Sequence, residues 1–277
     1  MAANSTAAVA TIGTLEHAAP RRTGNLFGVV RAVIRSTSFA LMLAVAAVDY
    51  ARVRCFSRKG ELQRSRAWWL HRVTRMASRI VGLQLQYRGA LPASGMIVSN
   101  HLSYLDIIAY SALTPCVFVA KKEVASWPVF GLFAQMAGTI FVDRSRRMKV
   151  GDSNRQIAEA LRAGVLVVLF AEGTSSDGRA VLPFRSCLLE AATLSNCAIA
   201  PAAIGYRLAE GSVPDEVCFW RDMTLLPHLL NLFTKRTVCA EVAFGIGETE
   251  AHSLSRKDAA RKLHGQVSQL HAELTNG

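Results

Sequence analysis

The chain of 277 residues and 30.0 kDa is 51% hydrophobic, which is enough to fill the core of one α/β domain or two small ones and excludes global disorder. Charged residues make up only 19% and the mean hydropathy is +0.24, so we expect part of the apolar surface to meet lipid. The net charge of +12 favours a polyanionic partner, which is nucleic acid, an anionic membrane leaflet or an acidic protein. The six cysteines are scattered without a C-x-x-C pair or a histidine at zinc spacing, so we expect reduced thiols and no metal site.

The N-terminal part of the chain changes character near residue 25. Residues 1–24 lack the basic start and apolar stretch of a cleavable signal and are predicted to form a disordered tail. Residues 26–48 are apolar but carry Arg31 and Arg35, and the charge-free run that follows spans roughly 20 Å as a helix, short of the ~30 Å hydrocarbon core. If both arginines snorkel to a headgroup layer, the whole segment spans or dips into a bilayer. The alternative is a helix buried in the core.

A second, amphipathic helix is predicted directly after this segment. Apolar residues at the spacing of one helical face run from Trp69 to Leu83. The arginines of another face are Arg72, Arg75 and Arg79. Ten Lys or Arg residues lie between positions 50 and 90 against one acidic residue, a bias typical of the cytoplasmic side of a membrane. We therefore predict a membrane-associated helical pair over residues 25–90, with an ordinary solvated basic face as the alternative.

After Pro92 short β-rich runs alternate with helical windows. The predicted strands are Met96 to Ser99, Val117 to Ala120, Thr139 to Asp143, Val165 to Phe170, Ala198 to Ile204 and Thr237 to Phe244. The predicted helices are Tyr104 to Leu113, Pro128 to Met136, Ser153 to Arg162, Arg185 to Leu194 and Arg256 to Leu274. Ser255 and Asp258 form a capping box before the last helix. The alternation predicts an α/β sandwich over residues 91–277.

The sharpest local feature is the sequence SNHLSYLD at residues 99–106, where a predicted strand hands over to a helix. Ser103 is predicted to be the N-cap and Asp106 the third helical residue, which brings the Asp106 carboxylate opposite the His101 imidazole. A carboxylate that accepts from one ring nitrogen leaves the other free to take a proton from a hydroxyl, as acyl transfer to an alcohol requires. The alternative is an ordinary capping box beside a histidine bonded to the backbone.

With these residues the chain resembles the glycerolipid acyltransferases typified by lysophosphatidate acyltransferase. The first motif of that family, Asn-His-x-x-x-x-Asp, is matched by Asn100, His101 and Asp106. Further blocks match at residues 138–144 (GTIFVDR), 170–176 (FAEGTSS) and, more weakly, 199–201 (IAP), in the order and spacing of the family. The resemblance implies an α/β fold with a mixed sheet flanked by helices, preceded by the N-terminal helical pair.

The resemblance also implies an activity. A fatty acyl group would pass from a thioester, on acyl carrier protein or coenzyme A, to a lyso-lipid hydroxyl, with His101 as general base and Asp106 orienting it. No covalent acyl-enzyme, cofactor or metal is implied, because an acyl thioester needs no Lewis acid. The residues implied to contact the acceptor are Asn100, Arg144, Glu172, Gly173 and Thr174. An ion pair of Arg144 with Asp143 and a plain strand-ending turn at residues 172–174 are the alternatives.

Two departures from the family pattern bear on the acceptor. Ala171 stands where the family usually has Pro, and Ser175 stands where it often has Arg, which removes one expected phosphate contact. The block is most similar to that of the bacterial branch that acylates lyso-ornithine lipid, an acceptor with a hydroxyl, a carboxylate and a terminal ammonium but no phosphate. We expect Arg144 to contact the carboxylate and either Glu172 or Asp177 to contact the ammonium.

Other classes of protein are less compatible with the sequence. The chain has no G-x-S-x-G nucleophile elbow, P-loop or G-x-G-x-x-G motif. Its cations cluster beside an apolar, Trp-bearing helix rather than among stackable aromatics, which disfavours nucleic acid. A lysophosphatidate acyltransferase and a non-catalytic, membrane-peripheral scaffold stay as alternatives. The expected location is the bacterial inner membrane, with the catalytic domain facing the cytoplasm.

Overall fold

A seven-stranded mixed sheet organises the chain. The computed structural model describes residues 26–58, 60–143, 147–190, 197–247 and 254–276, so the predicted tail at residues 1–24 lies outside the described residues. The strands are β1 Leu83–Arg88, β2 Met96–Ser99, β3 Cys116–Lys121, β4 Ile140–Val142, β5 Leu166–Phe170, β6 Ile199–Leu208 and β7 Val238–Phe244. Their spatial order is β1-β7-β6-β2-β5-β3-β4, and every neighbouring pair is parallel except β6 and β7.

Helices cover both faces of this sheet. They are α1 Leu26–Phe56, α2 Leu62–Val81, α3 Leu105–Leu113, α4 Phe130–Met136, α5 Arg147–Arg162, α6 Val213–Glu216, α7 Leu225–Thr234 and α8 Arg256–Thr275, with 3-10 turns at Lys122–Ser126 and Ser186–Leu188. One face packs against α1, α2, α3 and α7, and the other packs against α5 and α8. The predicted α/β sandwich with a mixed sheet is therefore confirmed.

The predicted strands and most predicted helices are confirmed, with shifted ends. The strands were recognisable because β2 and β5 are buried on both faces and read as continuous apolar runs. The predicted helix at residues 185–194 begins instead as the 3-10 turn Ser186–Leu188, and residues 191–194 lie outside the described residues. The Ser255 hydroxyl accepts from the backbone N–H of Asp258 at 3.3 Å, as the capping box predicts.

The helix predicted to run to Leu83 ends earlier. Gly82 adopts the left-handed conformation (φ 79°) and closes α2 after Val81, because glycine enters that region without steric cost. Leu83 is the first residue of β1, which pairs in parallel with β7. The sheet therefore begins inside the segment predicted to be purely helical. The overlooked signal is the alternation LQLQY at residues 83–87.

Helix α1 is long and apolar enough to cross a membrane, by length and composition. It nevertheless packs along the domain, against α7 through its N-terminal half and against α2 through its C-terminal half. The rings of Phe39 and Phe233 lie 5.7 Å apart, and the Trp69 indole N–H donates to the carbonyl of Ala46 at 3.2 Å. The outward side of α1 exposes large apolar residues, which include Val33, Ile34, Leu41, Val45 and Val48.

The two arginines of α1 contact the end of α7 and do not reach toward a headgroup layer, which was the condition for the segment to span a bilayer. Arg31 Nη1 donates to the carbonyl of Thr234 at 2.6 Å, and Arg35 Nη1 donates to the carbonyl of Lys235 at the same distance. These carbonyls belong to the C-terminal end of α7, where backbone acceptors lack helical partners and the helix dipole attracts cations. The arginines therefore clamp α1 onto α7.

Arg35→Ala is expected to lower the free energy of unfolding by about 1–3 kcal/mol, because carbonyls at the end of α7 lose a charged donor. Urea unfolding of the detergent-solubilised protein measures the change. Arg54→Ala is the matched control, since Arg54 lies exposed on the same helix. An equal loss in the two variants would contradict the clamp.

Candidate active site

The carboxyl end of β2 carries the residues of the first motif. Asn100 is 1% exposed, and its side-chain amide exchanges two hydrogen bonds with the backbone of Ile204 in β6, at 3.0 and 2.8 Å. The amide continues the β2–β6 ladder by one step beyond Ser99 and so fixes where the chain leaves the sheet. This contact buries the side-chain amide of Asn100 between β2 and β6. Its predicted contact with the acceptor stays a prediction.

His101 and Asp106 meet as the sequence predicts. His101 Nδ1 lies 2.6 Å from Asp106 Oδ2, and the same oxygen accepts the backbone N–H groups of Leu102 (2.7 Å) and Ser103 (3.1 Å). Asp106 is 0% exposed, whereas the His101 side chain is 22% exposed. An oxygen that already accepts two N–H groups makes Nδ1 the donor, so the lone pair resides on the second ring nitrogen.

The local turn differs from the predicted capping box in one respect. Helix α3 begins at Leu105, Tyr104 occupies the N-cap position, and the Ser103 hydroxyl has no hydrogen-bond partner in the described part of the chain. Only the reciprocal half of the box is present, since the Asp106 carboxylate reaches back to the N–H of Ser103. Asp106 Oδ2 thus contacts only His101 and the backbone of its turn among the described residues.

Two residues that the sequence analysis missed complete the environment of the pair. The Tyr206 hydroxyl, from β6, donates to Asp106 Oδ1 at 2.5 Å. The Phe170 ring, at the end of β5, stacks on the His101 imidazole with centroids 4.2 Å apart and planes 13° apart. Phe170 is marked in the sequence only as the first residue of a motif, and Tyr206 lies 100 residues from its partner without a local pattern to mark it.

Glu172 joins the turn at residues 100–106 to the loop that follows β5. Its Oε2 accepts the backbone N–H of His101 at 3.2 Å and its Oε1 accepts that of Leu182 at 2.9 Å. Burial raises the pKa of the Glu172 carboxyl to about 8, against the two backbone hydrogen bonds, which lower it. With 2% exposure and both oxygens in use, Glu172 offers little surface to an acceptor ammonium.

The remaining predicted acceptor residues lie in or near this loop. Gly173 has φ 70° and donates its N–H to the carbonyl of Phe170 at 3.1 Å, which makes the tight turn that ends β5. Thr174 is exposed. The Asp177 carboxylate is partly exposed and lies 3.5 Å from the Arg179 guanidinium. Arg144 lies outside the described residues.

Further contacts bind the loop to the catalytic turn. The backbone N–H of Ser176 donates to the carbonyl of His101 at 2.9 Å, and Arg185 Nε donates to the carbonyl of Glu172 at 3.2 Å. The Ser175 hydroxyl, at the position where the family often has Arg, donates to the carbonyl of Phe219. The loop is therefore held at several points against the backbone of the turn that carries His101.

At the carboxyl edge of its mixed sheet, this fold holds an imidazole oriented by a buried carboxylate, an arrangement able to accept a proton from a hydroxyl. Residues 84–205 match the family model described as Acyltransferase. The chain is 37% identical over 210 residues to the lyso-ornithine lipid O-acyltransferase of Brucella abortus (71% of this chain, 79% of the relative). It is 32% identical over 258 residues to that of Rhodobacter capsulatus (90% and 92%). The chain belongs to this acyltransferase family and is an acyltransferase.

The fold is also that of a solved structure. The crystal structure of the 1-acyl-sn-glycerophosphate acyltransferase PlsC from Thermotoga maritima superposes with a TM-score of 0.66 at 17% identity and covers 91% of this chain and 96% of its own. The fold implied by the motifs is thereby confirmed over nearly the whole chain.

The carboxyl of Glu172 makes stability depend on pH. Because its pKa is about 8 in the folded protein and 4.5 ordinarily, the folded state binds the proton more tightly, and stability is lost as pH rises through this range. We expect the free energy of unfolding of the wild type, relative to Glu172→Gln, to fall from pH 5 to pH 8.5, as measured by urea unfolding. Glu273→Gln controls for loss of a carboxyl, and parallel pH profiles of wild type and Glu172→Gln would contradict the expectation.

Proposed function

We propose that this enzyme transfers a fatty acyl group from an acyl thioester to the hydroxyl of lyso-ornithine lipid in membrane lipid biosynthesis. The observation that carries the chemistry is the 2.6 Å contact between His101 Nδ1 and Asp106 Oδ2, which leaves the second ring nitrogen as a base. The choice of acceptor rests on the named activity of the relatives from Brucella abortus and Rhodobacter capsulatus and on Ser175 in place of an arginine.

The geometry suggests the following course for the reaction. His101 accepts the proton of the acceptor hydroxyl while the hydroxyl oxygen attacks the thioester carbonyl carbon. The tetrahedral adduct collapses with rupture of the carbon–sulfur bond, and the imidazolium returns its proton to the departing thiolate. Asp106 stabilises the imidazolium and holds the ring in one tautomer. The acyl group passes directly to the acceptor, so no acyl-enzyme forms.

The acceptor would be held beside the loop after β5. Arg144 is proposed to bind the acceptor carboxylate, since a guanidinium gives planar, bidentate recognition of that group. Asp177 is the carboxylate with accessible surface and is proposed to bind the terminal ammonium by exchanging its present partner, Arg179. Gly173 and Thr174 would bring the backbone of the turn close to the headgroup, while Glu172 holds the loop in place.

The donor would be acyl carrier protein or acyl-coenzyme A, and the expected location is the cytoplasmic side of a bacterial inner membrane. Support comes from the exposed apolar side of α1 and from the exposed arginines of α2, which are Arg64, Arg72, Arg75 and Arg79. A cationic face beside an apolar helix favours an anionic membrane surface.

The wild type is expected to acylate lyso-ornithine lipid in preference to lysophosphatidate when purified protein is incubated with labelled acyl donor and each acceptor. His101→Ala should lower the rate by at least about 10³-fold, because the general base is lost. His264→Gln, a histidine on α8, is the matched control. Preference for lysophosphatidate would select the alternative acceptor, and full activity of His101→Ala would favour a scaffold or a different base.

Asp177→Asn is expected to raise the KM for lyso-ornithine lipid about tenfold, because the ammonium loses a charge-assisted partner. Steady-state kinetics with lysophosphatidate, which lacks an ammonium, should show no such increase. Asp152→Asn, at an exposed position of α5, is the control for loss of one negative charge. An unchanged KM for lyso-ornithine lipid would contradict the assignment of Asp177.

A further inference from the structure

Helix α7 contacts both the long apolar helix α1 and the turn at residues 100–106 that carries His101. At its C-terminal end the carbonyls of Thr234 and Lys235 bind the two arginines of α1. At its N-terminal end His228, 8% exposed, places Nδ1 2.9 Å from the hydroxyl of Tyr104, which lies three residues after His101. No motif marks His228, and the proposed acyl transfer leaves the Tyr104–His228 pair without a function.

The hydrogen bonds of His228 fix its tautomer. His228 Nε2 lies 3.0 Å from the carbonyl of Cys218, which can only accept, so Nε2 carries the proton. Nδ1 is then an acceptor, and the Tyr104 hydroxyl must be the donor. Burial lowers the pKa of His228 and keeps this neutral form favoured. The bond between Tyr104 and His228 therefore has a defined direction.

The segment beside His228 binds the same turn a second time. The backbone N–H of Phe219 donates to the carbonyl of Leu102 at 2.8 Å, and the Phe219 ring meets Tyr104 and His228 edge-on at 5.5 and 5.4 Å. The Phe219 carbonyl accepts from Ser175 of the loop after β5. The turn that carries His101 is therefore bound at two points, at Leu102 by Phe219 and at Tyr104 by His228 of α7.

These contacts lie in the same turn as the imidazole of His101. Asp106 holds Nδ1 from one side, and the backbone around it belongs to the same turn as Tyr104. A small rotation of the turn would swing the free nitrogen away from the acceptor hydroxyl, and displacements of this kind cost large factors in rate. Tyr104, at the end of this turn, is held by His228 of α7. Helix α7 is itself bound by the two arginines of α1.

We propose that Tyr104 and His228 are positioning residues for His101, and that through them the docking of α1 on α7 sets the rate of acyl transfer. The proposal rests on His101 as the base of the proposed function and adds a dependence of that base on the N-terminal helix. His228 also lines a cleft of about 1520 Å³ between α1 and α7, whose walls include Val29, Val33 and Leu230. Movement of α1 would therefore change the shape of a cleft that His228 lines.

Tyr104→Phe removes only the hydroxyl, and two substitutions divide the functions of His228. Asparagine retains an acceptor near the Nδ1 position and can rescue the bond to Tyr104, whereas glutamine retains a donor for the Cys218 carbonyl but loses that acceptor. We expect kcat to fall about tenfold in Tyr104→Phe and His228→Gln with KM for both substrates unchanged, and His228→Asn to retain kcat within about twofold. The double variant Tyr104→Phe/His228→Gln should be no slower than either single variant.

Steady-state kinetics with lipid vesicles test this scheme, and circular dichroism establishes that each variant is folded. Equal kcat values for His228→Asn and His228→Gln, or a tenfold rise in KM in place of the fall in kcat, would overturn the positioning role. A wild type without acyl transfer to any lyso-lipid would instead refute the proposed function, so the two failures are distinguishable.

The link to α1 has its own test. Arg35→Ala should lower kcat in the wild-type background and have little further effect in the Tyr104→Phe background, because both changes act on the same path. Arg54→Ala, from the same helix, is the control in both backgrounds. Multiplicative effects of Arg35→Ala and Tyr104→Phe on kcat would show that the clamp and the pair act separately and would overturn the link.

Discussion

The buried carboxylate of Asp106 is the constraint on which the site depends. Taking a carboxylate out of water costs several kcal/mol unless donors replace the lost hydration. Four groups do so here, which are the His101 imidazole, two backbone N–H groups of its turn and the Tyr206 hydroxyl. The same contacts that make burial tolerable fix the tautomer of His101, so the stability of the turn and the protonation pattern of the proposed base have one origin.

The sheet supplies the geometry for this arrangement. Parallel strands β2, β5 and β6 end at one edge, so the turn after β2, the loop after β5 and Tyr206 near the end of β6 meet there. Asn100 fixes the exit from β2 against β6, and Glu172 ties the loop to the turn. On the proposed function, these buried polar residues prepare the base while the exposed residues of the loop meet the acceptor.

Sequence reasoning succeeded where contacts are local or periodic. Short-range patterns in the sequence were enough for three features. These are the strands of the central sheet, α8 with its cap, and the pair of His101 and Asp106. Sequence reasoning failed at β1, where a strong helical periodicity hid a short alternation, and it did not predict α7, whose N-cap residue Thr224 makes no side-chain capping hydrogen bond. It left the place of Arg31 and Arg35 open, because a charge within an apolar helix gives the same sequence pattern whether it meets headgroups or the end of another helix.

The motifs alone were sufficient to predict the family and the contact between His101 and Asp106, because both rest on residues close together in the chain. The distant groups that complete this pair became visible only in the folded chain. Tyr206 joins Asp106 across 100 residues, and His228 joins Tyr104 across 124. Such contacts depend on the order of strands and the docking of helices, which packing of the whole core selects and no local spacing records.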